Sequence, residues 1–264
     1  MSNAFNSLPL VSVVITTYNY AAYLPRAIDS VLMQTYPNVE VIIIDDGSTD
    51  DAASSIPNHA SVKYFYQENR GISAARNHGI KRSKGKYVVF LDADDWLEPD
   101  AIENNLAVLI HHPTVAFISG NYYFFRVETG LVDGIKVSVH DNHYIHFLKS
   151  NYIGMIAAVL FQKWVLKEIQ FDENLEACED YDLYLNITRK YEVMHHEKFI
   201  ATYYFHNKGL SHNYQSMMNS IAAVMHKQSV NLHLAEEKQA YEIGLQQWKD
   251  YHSLLIENML KDIK

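Results

Sequence analysis

Four short apolar runs, residues 11–16, 39–44, 62–66 and 87–91, punctuate the first hundred residues of this chain, and helical patterns fill two of the gaps between them. Runs of five or six residues without polar alternation belong to strands buried on both faces. Leu24, Ala27, Ile28, Val31 and Leu32 fall at helical spacing, and residues 73–81 read as a second helix with Ser73 as its cap. Strand and helix in alternation specify an α/β fold, a mainly parallel central sheet flanked by helices. Pro99 suits the start of a further helix running to about residue 110, because its missing N–H is no loss there.

Beyond residue 113 the rhythm changes. Strands are expected at 115–119, 122–127, 156–161 and 200–205, with a Glu128-Thr129-Gly130 turn and a helix over 180–190. From Tyr214 the pattern is helical, with one stripe of Met217, Ile221, Val224 and Met225 and another of Tyr241, Leu245, Trp248, Leu255 and Met259. The chain therefore divides into a leader at 1–9, whose Met1-Ser2-Asn3-Ala4 is compatible with a cloning remnant, a domain at 10–212 with halves 10–112 and 113–212, and a C-terminal helical extension at 213–264.

With 264 residues, 48% of them apolar, the chain can bury a large core. Cys178 is the single cysteine, which excludes an internal disulfide and a cysteine zinc cluster and makes a reducing, cytoplasmic setting the expectation. Twenty-two basic against 31 acidic residues give a formal charge of −9, which repels nucleic acid and anionic surfaces. No window reaches the about eighteen apolar residues of a membrane span, and the first residues lack the pattern of a signal peptide.

In open α/β sheets ligands bind outside the carboxyl ends of the strands. Each of the four runs ends there in a polar cluster: Thr16-Thr17-Tyr18-Asn19, Asp45-Asp46-Gly47-Ser48, Gln67-Glu68-Asn69-Arg70-Gly71 and Asp92-Ala93-Asp94-Asp95. The last is the sharpest, since apolar Phe90-Leu91 sets carboxylates at the rim of the core. Hard divalent cations such as Mg2+ and Mn2+ are bound by one or two carboxylates together with substrate phosphates. The bland alternative is that Asp94 or Asp95 caps the helix after Pro99. No Gly-x-Gly-x-x-Gly follows a strand, and the near P-loop at residues 79–86 leads into a strand rather than a helix. A second acidic group, Glu176-Ala177-Cys178-Glu179-Asp180-Tyr181-Asp182, opens a helix. It reads either as the source of a general base or as acidic residues complementing a helix dipole.

Five ordered blocks together carry a resemblance: Val13-Val14-Ile15-Thr16-Thr17-Tyr18-Asn19, Ile44-Asp45-Asp46-Gly47-Ser48-Thr49-Asp50, Asn69-Arg70-Gly71-Ile72-Ser73-Ala74-Ala75-Arg76-Asn77, Phe90-Leu91-Asp92-Ala93-Asp94-Asp95 and Glu179-Asp180-Tyr181-Asp182. Over roughly residues 10–212 the chain resembles the inverting family 2 glycosyltransferases of GT-A fold, a Rossmann-like architecture. The resemblance implies transfer of a sugar from a nucleotide donor, usually a UDP-sugar, to a hydroxyl of a glycan or lipid-linked acceptor in polysaccharide synthesis. It implies that Thr16 and Tyr18 line the uracil pocket, that Asp46 accepts the base N–H, and that Asn69 and Arg76 lie near the nucleotide. Asp92 would approach the ribose or the metal, Asp94 would coordinate a Mn2+ or Mg2+ bridging the diphosphate, and Asp180 would be the base. Tyr203-Tyr204-Phe205-His206-Asn207-Lys208-Gly209-Leu210-Ser211 resembles a further family segment, with Tyr204 and Gly209 in place of its Arg and first Ser. His206 is there a further candidate metal ligand, against the bland reading of a structural histidine.

The rival functions are a non-catalytic nucleotide-binding scaffold of the same fold and a metal-dependent nucleotidyltransferase. The terminal helices are expected to pack on their own domain, with homodimerisation as the alternative. Enzymes of this kind often act on lipid-linked acceptors, so peripheral contact at the inner membrane surface stays open, although the last helix lacks a basic face.

Overall fold

A computed structural model of the chain describes residues 8–206 and 214–262. Its strands are β1 (Val11–Thr17), β2 (Val39–Asp45), β3 (Val62–Tyr66), β4 (Tyr87–Asp92), β5 (Trp96–Leu97), β6 (Phe117–Arg126), β7 (Leu131–Ile135), β8 (Val159–Gln162) and β9 (Met194–Phe205). Its helices are α1 (Leu24–Leu32), α2 (Ile72–Arg82), α3 (Ala101–Leu109), α4 (His143–Lys149), α5 (Lys163–Glu168), α6 (Glu179–Thr188), α7 (Tyr214–Ser229) and α8 (Ala235–Asp262).

All nine strands join one sheet in the order β3-β2-β1-β4-β8-β6-β9-β5, with β7 paired to β6. The first four are mutually parallel, as the apolar runs predict, and β1 and β2 are buried almost throughout. The second half is mixed. β8 runs antiparallel to both β4 and β6, and β9 runs parallel to β6. Chain order 3-2-1-4 reverses direction between β1 and β4, which opens a crevice at their carboxyl ends. The register sets Thr16 beside Asp92 at that point, and Thr17 beside Asp45.

Several local expectations are corrected. Ser73 lies inside α2, whose N-cap is Gly71 at φ +86°. The stretches at 115–119 and 122–127 are one ten-residue strand, bulged against β9 between Ser119 and Tyr122. Residues 156–158 form a 3-10 turn before β8 instead of starting the strand. β7, α4 and α5 have no counterpart in the sequence reading; each is short, and in α4 histidines interrupt the apolar pattern. α3 takes Asp100 as its N-cap residue, so neither Asp94 nor Asp95 caps it.

α7 and α8 pack onto the chain's own core. Ile221, Val224 and Met225 are buried, Ala240 is buried, and Tyr241, Leu245 and Trp248 pack against the same cluster. The side chains of Leu255 and Met259 lie outside the described residues. No helix among the described residues is long and apolar enough to cross a membrane. α8 crosses α4 at Gly244, where an added Cβ would overlap the carbonyl oxygen of Leu148. In an open helix Ala is favoured over Gly by about 1 kcal/mol. Here the steric term wins, because backbone cannot move aside as a flexible side chain would. Gly244→Ala is therefore expected to lower stability by about 1–3 kcal/mol, read as a reduced urea midpoint; an unchanged or raised midpoint would refute the close crossing.

Candidate active site

The polar loops at the carboxyl edge are fastened to one another before any ligand arrives. Asn19 holds a left-handed backbone, φ +59°, and its Oδ1 accepts from the Thr49 amide at 2.7 Å, while its own amide donates to Ser48 Oγ at 2.9 Å. Asp45 accepts from the Ser48 amide at 2.8 Å and from the Tyr64 hydroxyl at 2.7 Å. Asp46 braces the third loop, accepting from the amides of Arg70 at 2.9 Å and Gly71 at 2.8 Å and from Gln67 Nε2 at 2.7 Å. Gly47 at φ +86° allows the second and third loops to touch, since a Cβ there would lie 2.7 Å from the Asn69 amide nitrogen.

These loops enclose a cavity of about 510 Å3, lined by Thr16, Tyr18, Asp46, Asn69, Asp92 and Asp94, with Thr16 directly beside Asp92. Tyr18 is 48% exposed, so its ring is available for stacking. Tyr20, Glu176 and Tyr203 line the same cavity. Six of the sequence-predicted residues thus share one cavity. Arg76, Asp180 and His206 are not among those lining it.

Arg76 is instead buried, 2% exposed, beneath the cavity floor. Its Nη2 donates to both oxygens of Asp92, at 2.8 and 3.1 Å, and its Nη1 donates to Glu179 Oε1. Burial alone would weaken its charge, but Asp92 and Glu179 hold it firmly protonated. Thr16 Oγ1 also donates to Asp92, at 3.2 Å. The expectation that Arg76 lies near the nucleotide is refined: it touches the Asp92 carboxylate that faces the cavity.

Asp94 is only one-fifth exposed. Burial and the nearby Asp92 charge raise its pKa, opposed by His206, whose Nε2 lies 3.0 Å from Asp94 Oδ2. Buried Asp95 accepts from the Tyr204 amide at 2.8 Å, and its pKa is raised by burial and by Asp94. Arg26 of α1 lies over the rings of both Trp96 and Tyr204, 4.2 and 3.9 Å from their centroids, and donates through Nη2 to the Asp94 carbonyl at 2.6 Å. An arginine therefore does reach this loop although Tyr204 replaces one in the sequence segment. Among the described residues no group of three or more His, Cys, Asp or Glu side chains could hold a metal unaided. Asp92 and Asp94 together still fit a hard cation that takes its other oxygens from a diphosphate.

Half-buried Asp180 opens α6 after Cys178, which is itself left-handed at φ +58°. Burial first, then the Glu179 charge, push its carboxyl up to about 7, with Arg76 acting in the opposite sense. Its Oδ1 accepts from the Tyr181 amide at 2.6 Å. A carboxylate poised near neutrality suits a general base. The sequence expectations assign no role to Arg26, Glu179 or the cavity-lining Tyr203, although Glu179 adjoins Asp180 in its block and Tyr203 heads the segment that contains His206.

Comparison with known proteins accords with this geometry. An uncharacterized glycosyltransferase of Rickettsia typhi is 34% identical over 207 residues, 74% of this chain and 64% of that protein. Chondroitin synthase of Escherichia coli is 31% identical over 216 residues, 80% of this chain but only 31% of the synthase. Among solved structures, Staphylococcus aureus TarS residues 1–349 in complex with UDP-GlcNAc superposes with a TM-score of 0.67 at 20% identity, covering 89% of this chain and 71% of that one. The Pyrobaculum calidifontis mannosyltransferase PcManGT in complex with GDP-Man and Mn2+ gives 0.64 at 17%, covering 97% and 81%. These likenesses establish the GT-A fold. The sequence model of glycosyl transferase family 2 matches residues 12–165, more than half of the chain. With its four loops, its Asp92-Ala93-Asp94 rim and its fold in agreement, the chain belongs to glycosyl transferase family 2.

Proposed function

We propose that this chain transfers a sugar, with inversion, from a UDP-sugar to a hydroxyl of a glycan or lipid-linked acceptor. One observation carries the reading: a single cavity lined by an exposed tyrosine ring, hydrogen-bonding groups and a carboxylate pair. That lining suits a nucleoside diphosphate with its cation. The TarS complexes with UDP and UDP-GlcNAc support a uridine donor, and the relative named chondroitin synthase supports a glycan product.

Tyr18 stacks on the base, Thr16 and Asn69 line its pocket, and Asp46 both braces the third loop and meets the base N–H. Asp94, with Asp92, would hold Mn2+ or Mg2+, and His206 sets the orientation of Asp94. A cation held there would supply Lewis-acid stabilisation of the departing diphosphate. Arg76 keeps Asp92 oriented. Asp180 takes the proton from the acceptor oxygen as that oxygen attacks the anomeric carbon, and the carbon–oxygen bond to the diphosphate breaks on the opposite face.

Incubation with a panel of UDP- and GDP-sugars and Mn2+ tests the reading through the product. Released UDP supports the transferase, pyrophosphate released from UTP supports a nucleotidyltransferase, and binding without turnover supports a scaffold. Asp180→Asn is expected to keep UDP affinity and to lose on the order of 100- to 10,000-fold in turnover; near-wild-type transfer would remove Asp180 from the mechanism. A base must be unprotonated to act. With its carboxyl near 7, kcat/KM is expected to rise as pH increases from about 6 to 8 and to flatten above. A profile flat from pH 5 to 8 would contradict it.

A further inference from the structure

Helix α7 brings a charge against the core that the nucleotide cavity does not use. Lys227, near the end of α7, donates through Nζ to Asp172 Oδ2 at 2.9 Å and forms an ion pair with Asp182, its Nζ 2.7 Å from Oδ1. Asp182 stands in the first turn of α6, two residues after Asp180, and is 1% exposed. Its other oxygen accepts from Asn186 Nδ2 at 3.0 Å. Asn186 Oδ1 accepts in turn from Gln228 Nε2 at 3.2 Å, and Gln228 Oε1 accepts from the Tyr144 hydroxyl of α4 at 3.2 Å. Gln228 is fully buried. One polar chain thus joins α4, α6, α7 and the segment that precedes α6.

Buried charges are costly, and a well-packed apolar pair in the same space would hold two helices together as firmly. Directed polar contacts add register, which apolar packing leaves looser. Successive residues on a helix turn by about 100°, so Asp182 projects about 200° away from Asp180. The clamp therefore grips the side of α6 opposite Asp180, the side that also carries Glu179, which meets Arg76 and lies about 60° round from Asp182.

We propose that Lys227 is a positioning residue for transfer: by pinning Asp182 and Asp172 to α7 it fixes the rotation of α6, and with it the place of Asp180 and the contact of Glu179 with Arg76. The C-terminal helices are then a working part of the site. This rests on the reading of Asp180 as the base.

The test uses the full chain with Lys227→Met, Lys227→Arg and the double variant Asp182→Asn/Lys227→Met. Lys227→Met should lower kcat at least ten-fold while the UDP dissociation constant and the donor KM stay within two-fold, and Lys227→Arg should recover most of the loss. Should Lys227→Met fail to fold, the double variant, which leaves only the part-exposed Asp172 without its lysine, should fold and show the same selective loss of kcat. A kcat within two-fold of wild type, or kcat and UDP affinity falling together, would overturn the proposal. If the wild-type chain turns over no nucleotide sugar, the functional reading falls by itself, and amide hydrogen exchange across residues 179–188 decides the clamp. Faster exchange in Lys227→Met upholds the clamp, and unchanged exchange overturns it.

Discussion

The buried guanidinium of Arg76 joins the two halves of this molecule. It meets Asp92, the last residue of β4, and Glu179, the first residue of α6, so one charge ties the end of the parallel sheet to the helix that carries Asp180. Arg76 and Glu179 are buried while Asp92 reaches the cavity, and a charge buried like that of Arg76 is tolerated only because it is paired. The arrangement also sets the site's electrostatics. Asp92 has a buried cation beneath it, whereas Asp94 is opposed by His206, and burial with the neighbouring Asp92 raises its pKa. A divalent cation would relieve that crowding of negative charge.

Around this core the loops are preorganised by short polar contacts. Asp46 holds the third loop by two backbone amides, Asn19 holds the second, and Arg26 fixes the Asp94 carbonyl from α1. Groups held in this way need little rearrangement when a ligand enters, so less binding energy is lost in ordering them. The same economy extends to α6 through Lys227 and Asp182.

Much of the site was legible because a parallel sheet collects its loops at one edge. Thr16, Tyr18, Asp46, Asn69, Asp92 and Asp94 all follow apolar runs, and the register of β1 against β4 brings Thr16 and Asp92 together as the strand pattern implies. What was not legible depends on contacts distant in sequence. Arg26 lies 68 residues from Asp94, and its place over Trp96 and Tyr204 leaves no local trace. Ser73 precedes a helical pattern, as a cap would, yet the positive φ of Gly71 starts α2 two residues earlier. In residues 113–175, β7, α4 and α5 are too short for periodicity to declare them; pairing with β6 decides β7, packing on α8 decides α4, and packing on β8 and α2 decides α5.

If Asp92-Ala93-Asp94 binds the diphosphate of a nucleotide through a cation, UDP affinity depends on metal and on Asp94. Calorimetric titration of UDP into the wild-type chain and into Asp94→Ala, each with Mn2+ and with chelator, tests this. Wild-type binding in Mn2+ is expected to weaken at least ten-fold on chelation, and the weaker binding of Asp94→Ala is expected not to respond to the metal. Equal UDP affinity with and without Mn2+ in both proteins would contradict it.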